Sequence, residues 1–291
     1  LKWDNAISNS TNRLPYTLSW FLDIVSPNWD ALVYGDYQMV MPLPSRKRYG
    51  IPYLYQPILC NQLGVFSTTG ELPVTVDNFI KAIPKKFLIA DIVFNTKNIV
   101  SDKNKGYQLY TKYNQSLALD QPYTDLAQNY SKSHQKNIQR FEKKSGYTIT
   151  DSLSLHDFFT AKAKISEDKK LNFPKQDQLA YFNLLNNLDE KKRLTILTGF
   201  DNNQKIVGSV CFLLLDFDMI GIQSFSSEEG KKVGVIFSII DQFIKMNAGT
   251  NLTIDFMGST LPGVRERNLG FGSRESEFTF TRLNRIKNIF G

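Results

Sequence analysis

Histidine and cysteine are scarce in this chain of 291 residues, which holds two of each. Two histidines are too few for a His-rich metal site. Cys60 and Cys211 lie in apolar runs. They read as small buried hydrophobes, not as a disulfide framework or a cysteine-ligated metal site. The expectation is therefore no metal and a reducing, cytoplasmic setting. No apolar run approaches the ~18 residues that a membrane-spanning helix needs, so no transmembrane segment is expected. No secretory leader is legible at the start, and Leu1 is not an initiator, so the start is expected to lie upstream or to be processed. No Ser/His/Asp or Cys/His arrangement for covalent catalysis can be read either. His134 lies on a basic helix and His156 at a helix start, neither beside a nucleophile motif.

Aromatic bulk and positive charge are what the chain does have. With 21 Phe, 13 Tyr and 3 Trp, a chain of this length can bury large cores in roughly two domains. The net charge of +7 favours an anionic partner: a nucleotide cofactor, tRNA or an acidic membrane surface.

The first half opens with a short helix, Leu18–Val25, ended by Ser26-Pro27. Residues Ala31–Val40 and Met41–Pro44 read as a strand entering a charged loop that ends at Gly50. Arg46, Lys47 and Arg48 are expected at a solvated hairpin tip. The apolar segment Ile51–Ser67 carries Gln56 and Gln62, which either hydrogen-bond within the sheet or line a cleft and read a substrate amide. A short helix at Asp77–Ile83 and strands at Lys86–Phe94 and Gly106–Leu119 follow. From Tyr123 to Lys144 the pattern is helical, with Leu126, Tyr130, Ile138 and Phe141 on one face. Lys132, Lys136, Arg140 and Lys144 stripe the other, and Gly146 supplies the stop.

The second half reads as helices at Leu155–Ser166 and Lys175–Asn187, then strands at Arg193–Phe200, Lys205–Leu215 and Met219–Ser226. Helix Val235–Asn247 and strand Leu252–Phe256 complete the run. Between strand and helix, Gly230 and Gly234 flank Lys231 and Lys232. Backbone N–H groups opening a helix beside two cations suit a phosphate, so an anion site is expected there.

The most informative stretch is Asn251–Gly272. Leu252, Ile254 and Phe256 alternate with Thr253 and Asp255, the period of a strand. Gly258 and Ser259 turn the chain. A short helix follows, with Ser259 or Thr260 as N-cap and Pro262 in its first turn. Gly270 and Gly272 bracket Phe271. From these residues alone the unit is either an ordinary connection with a surface-charged helix or a site for an anionic substrate, with Asp255 on the strand and Arg265, Glu266 and Arg267 on the helix.

The pattern D-F-M-G-S-x-x-P-G-V-x-x-x-x-x-G-F-G, from Asp255 to Gly272, resembles the closing motif of the Fem-type aminoacyl transferases and their relatives among the GNAT-like acyltransferases. Tyr130-Ser131 followed by Asn137-Ile138 is similar to the helix that links the two halves of that group. The chain departs from it at Gln135, where relatives commonly carry arginine. It departs again at Gly230 and Gly234, which do not match the usual phosphate signature Gln/Arg-x-x-Gly-x-Gly/Ala. The resemblance covers Tyr123 to Gly272.

That resemblance implies an α/β (α+β) fold of two GNAT-like domains packed side by side. Residues 1–144 form the first, ending in the linking helix, and residues 145–291 the second. It implies an N-acyltransferase in which an amine attacks an activated acyl carbon. Backbone N–H groups of the strand Ile220–Ser226 polarise the carbonyl. Asp255 is the leading base, with the alternative that it only holds the turn. Gly230, Lys231, Lys232 and Gly234 are expected to hold the acyl donor. Gln56, Gln62, Gly258, Ser259 and Arg265 are expected to hold a small-molecule or peptide amine acceptor. Three readings stay open: a coenzyme A thioester as donor, a charged tRNA serving a cell-wall or peptide acceptor, or a non-catalytic binding member. The irregular phosphate loop counts against the first, and the lack of a long heptad arm against the second.

Overall fold

The computed structural model describes residues 1–69, 75–101, 107–165, 174–258 and 262–285. In chain order the elements are α1 (Lys2–Ser8), α2 (Ser19–Val25), β1 (Asp30–Tyr34), β2 (Met39–Leu43), β3 (Ser45–Arg48), β4 (Ile51–Leu54), β5 (Phe66–Ser67), α3 (Val76–Ala82), β6 (Ile89–Val93) and β7 (Tyr107–Ala118). They continue with α4 (Tyr123–Gln128), α5 (Lys132–Glu142), β8 (Thr148–Thr150), α6 (Leu155–Ile165), α7 (Lys175–Glu190), β9 (Leu194–Phe200), β10 (Ile206–Leu214) and β11 (Met219–Ser226). The last are α8 (Glu228–Val233), α9 (Val235–Asn247), β12 (Thr253–Asp255), α10 (Pro262–Leu269) and β13 (Arg274–Asn284). Among the described residues no helix is long and apolar enough to cross a membrane.

The chain folds into two compact units. The first takes Leu1–Tyr113, Pro174–Leu184 and Ser276–Gly291; the second takes Asn114–Phe173 and Leu185–Glu275. The chain thus passes from one unit to the other four times: inside β7, just before α7, inside α7 and inside β13. The helical stretch expected as a link lies wholly in the second unit.

In the first unit β1, β2 and β5 form a small antiparallel sheet, and β3, β4, β6 and the end of β13 lie side by side in that order. Met39, Met41, Leu54, Phe79, Phe87, Ala90, Ile92, Phe94 and Leu283 pack its core. The stretch read as one strand, Ala31–Val40, is a hairpin. Gly35 and Tyr37 both take positive φ, at 60° and 61°, and the chain reverses between β1 and β2. The cationic run is corrected as well. Arg46, Lys47 and Arg48 form β3, and the tip is Tyr49-Gly50, at φ 52° and 79°. Two left-handed residues in succession are what a tight two-residue hairpin turn requires.

In the second unit the strand order is β7, β12, β11, β10, β9, β8. All neighbours are antiparallel except β11 and β12. Those two are joined through α8 and α9, as a parallel pair needs a long crossover. Leu117, Ile138, Phe141, Val210, Phe212, Ile239, Phe243, Ile254 and Phe271 share the core. The helix read from Tyr123 to Lys144 is broken at Ser131. Its hydroxyl accepts the His134 backbone N–H at 3.2 Å and starts α5 as an N-cap. The expected faces of α5 are as read: Ile138 and Phe141 are buried, and Lys132, Lys136 and Arg140 are exposed.

Candidate functional site

β11 and β12 pair from Met219–Thr253 to Gly221–Asp255 and no further. β11 runs on to Ser226, still paired with β10. The two parallel strands therefore part at Gly221 and Asp255, and backbone groups of β11 beyond that point face a fork instead of a ladder. Asp255 is the last paired residue of β12 and is 2% exposed. Its Oδ1 accepts the Met257 N–H at 2.8 Å, and its carboxylate also bonds the Asn114 side chain on β7. Met257 and Gly258 have φ 57° and 60°. An aspartate reaching two residues forward is a common way to hold such a turn. Burial pushes the Asp255 pKa up to about 6, against the pull of the two hydrogen bonds. The carboxyl at the fork thus holds its proton more tightly than an ordinary aspartate.

α10 hangs from this turn, and a polar chain ties it to β7. The Arg265 Nε donates to Glu275 Oε2 at 2.6 Å, and its Nη2 donates to Oε1. These bonds, with one from Gln115 Nε2 at 2.9 Å, hold the Glu275 carboxyl below its usual range. Gln115 is fully buried. Its Oε1 accepts from Asn268 Nδ2 at 3.2 Å, and its backbone carbonyl accepts from Phe256 N–H at 3.0 Å. Asn268 Oδ1 in turn accepts from Arg267 Nε and Nη2. The Arg267 carbonyl accepts from His134 Nε2 at 2.7 Å, while His134 Nδ1 meets Ser131 Oγ at 2.8 Å. A carbonyl can only accept, so Nε2 carries the proton. Burial lowers the pKa of His134, favouring the neutral ring. A Cβ on Gly270 would lie 1.9 Å from that ring, and one on Gly272 2.7 Å from Asn129 Cβ. The two glycines of G-F-G make room for His134 on α5 and for Asn129 at the end of α4.

No protein-family model and no curated protein matches the sequence. Solved structures do match. The crystal structure of FemX shares 12% identity, with a TM-score of 0.63 over 99% of this chain and 96% of that one. The structure of L-PGS from Bacillus licheniformis gives 12% identity and 0.53 over 98% and 91%. An acetyltransferase from the GNAT family of Colwellia psychrerythraea gives 12% identity and 0.51 over 96% and 94%. The fold is GNAT-like and of the Fem type.

At the turn expected to cradle a phosphate, three backbone N–H groups already have protein partners. Residues after Ser227 form α8, a helix of six residues. The Gly230 N–H donates to Ser227 Oγ at 3.0 Å, the Lys231 N–H to Ser227 O, and the Gly234 N–H to the Gly230 and Lys231 carbonyls. A Cβ at Gly230 would lie 1.9 Å from the Val207 carbonyl oxygen, and one at Gly234 2.6 Å from that of Asn137. Both glycines serve close backbone approach. Lys231 pairs with Glu228, and both lysines are exposed. In the first unit Gln56 Nε2 donates to the Cys60 and Asn61 carbonyls at 2.8 and 3.2 Å. Gln62, 3% exposed, accepts the Thr96 N–H on its Oε1 at 3.0 Å. Gln56 by its nitrogen and Gln62 by its oxygen are thus bonded to loop backbone. Ser259 lies outside the described residues, as does Thr260. The structure brings Asp255, Gly258 and Arg265 onto one connection of the second unit. It adds Asn114, Gln115, Asn268 and Glu275, which the sequence reading passed over. A polar Gln115 between Tyr113 and Leu117, on the face of β7 that meets the core, was the available signal. Among the described residues no group of three or more His, Cys, Asp or Glu could hold a metal.

Proposed function

We propose that the second unit transfers an acyl group directly from an activated ester or thioester to an amine. The observation that carries this is the parting of β11 and β12 at Gly221 and Asp255. A carbonyl oxygen seated in the fork would meet N–H groups of β11, which stabilise the negative charge that develops as the amine adds. Asp255 would take the amine's proton, and its raised pKa suits that task. The leaving group then departs with the electron pair, and no enzyme-bound acyl is needed. The acceptor is a small-molecule or peptide amine.

The residues at Gly230–Gly234 fit coenzyme A poorly, because the Gly230, Lys231 and Gly234 N–H groups are already bonded to Ser227 and within α8. An aminoacyl ester of the kind a charged tRNA carries suits this site better, since it needs no pyrophosphate cradle. The test is transfer from charged tRNA and from acetyl-CoA, in parallel, to lysine and a lysine-containing tripeptide, read by mass spectrometry. Transfer from charged tRNA alone is the expected result. Transfer from acetyl-CoA alone would overturn the donor assignment, and none from either would overturn the reading.

A further inference from the structure

Arg265 and Arg267 stand two positions apart on α10 in opposite surroundings. Arg265 is gripped by both oxygens of Glu275. Arg267 is half-buried and, among the described residues, forms no ion pair; its guanidinium bonds only the Asn268 side-chain Oδ1, at 3.3 Å from Nε and 3.1 Å from Nη2. Burial lowers its pKa, and no carboxylate offsets that. A guanidinium does not escape by losing its proton. A cation withdrawn from water without a counter-charge is costly, and such charges are normally paired.

The side chain is nonetheless held in place. Asn268, fully buried and itself fixed by Gln115, takes two of its nitrogens. The Arg267 carbonyl is pinned by His134, and Gly270 makes the room for that ring. Among the described residues no acceptor meets Nη1, and it is not one of the side-chain atoms sealed from solvent without a partner. The arrangement is a pre-oriented cation with one open edge, built on groups that are otherwise satisfied.

We infer that Arg267 is the receptor for an anionic group, a carboxylate or a phosphate, on a ligand of the second unit. The inference concerns binding and does not depend on the acyl-transfer chemistry. Arg265, whose charge is already neutralised by Glu275, is the internal control.

The experiment follows the arginine Nε–H resonances of the 15N-labelled full chain during titration with inorganic phosphate and, separately, acetate at constant ionic strength. Arg265→Lys and Arg267→Lys assign the two signals. The Arg267 signal is expected to move saturably with at least one anion, while those of Arg265 and the exposed Arg274 stay. Arg267→Met should weaken that anion by about tenfold or more, the loss of a charge-assisted contact. No shift at Arg267, or equal shifts at Arg274, would overturn the proposal. So would a lower melting temperature in Arg267→Met with anion affinity unchanged, since that marks a structural arginine.

Discussion

Asp255 has a folded pKa of about 6, raised from 3.8 by burial, which inverts the usual behaviour of an aspartate. The folded chain holds this proton more tightly than the unfolded chain. Its contribution to stability is therefore greatest below pH 3.8 and falls as pH rises from there to about 6, by ~3 kcal/mol for a shift of ~2 units. His134 works the other way: its folded pKa is lowered, so stability is lost as pH falls below its ordinary value of 6.5. Asp255→Asn can still accept the Met257 N–H. It is expected to melt at or above the wild type at pH 7.5 and to keep only the His134 trend in a series of melts. Transfer activity should fall ~100-fold in the same variant. In the wild type, kcat/KM should rise with pH through about 6 as the carboxylate forms. A melting temperature well below wild type at pH 7.5 would instead give Asp255 a purely structural role. Gly270→Ala drives a methyl into the His134 ring and should cost roughly 1–3 kcal/mol by denaturant melts, as overpacking does.

α8 is the element where pattern and packing disagreed. Glycines after a strand and before a long helix have the look of an anion cradle, and two lysines strengthen it. Ser227 decides otherwise by capping the segment into a helix. Gly230 then lies against the Val207 carbonyl. Gly230→Ala is expected to destabilise by roughly 1–3 kcal/mol. Replacing both Lys231 and Lys232 with Ala should change donor affinity by no more than ~0–1 kcal/mol, the scale of exposed charges. A larger loss, measured by titration with the donor, would restore the anion site. α5 is the opposite case: its face was legible from spacing, but its start at Ser131 was not, because a serine inside an amphipathic run signals an N-cap only once the chain bends there.

At the scale of the whole molecule, the first unit needs the end of the chain. β6 pairs with Phe280–Asn284 of β13, Leu283 enters the core, and Arg285 Nη1 donates to the Pro84 and Phe87 carbonyls. A fragment of residues 1–144 lacks all of these as well as Pro174–Leu184. It is expected to show neither a cooperative melt nor native-like strand content by circular dichroism. A folded fragment would mean that residues 1–144 are a domain in their own right.

The period of apolar residues was enough to locate most helices and strands of the second unit, since local burial imposes that period whatever the neighbours. The motif from Asp255 to Gly272 was enough to point to a Fem-type, GNAT-like fold, and two of its glycines, Gly270 and Gly272, make room for the His134 ring and for Asn129. Only the tertiary structure decided which charged groups are paired. Arg265 and Arg267 look alike in sequence. Glu275, arriving on a strand after the helix, neutralises the first, and Asn268 leaves the second charged. A pairing made across elements depends on where two chain segments meet, and nothing in the local pattern carries that.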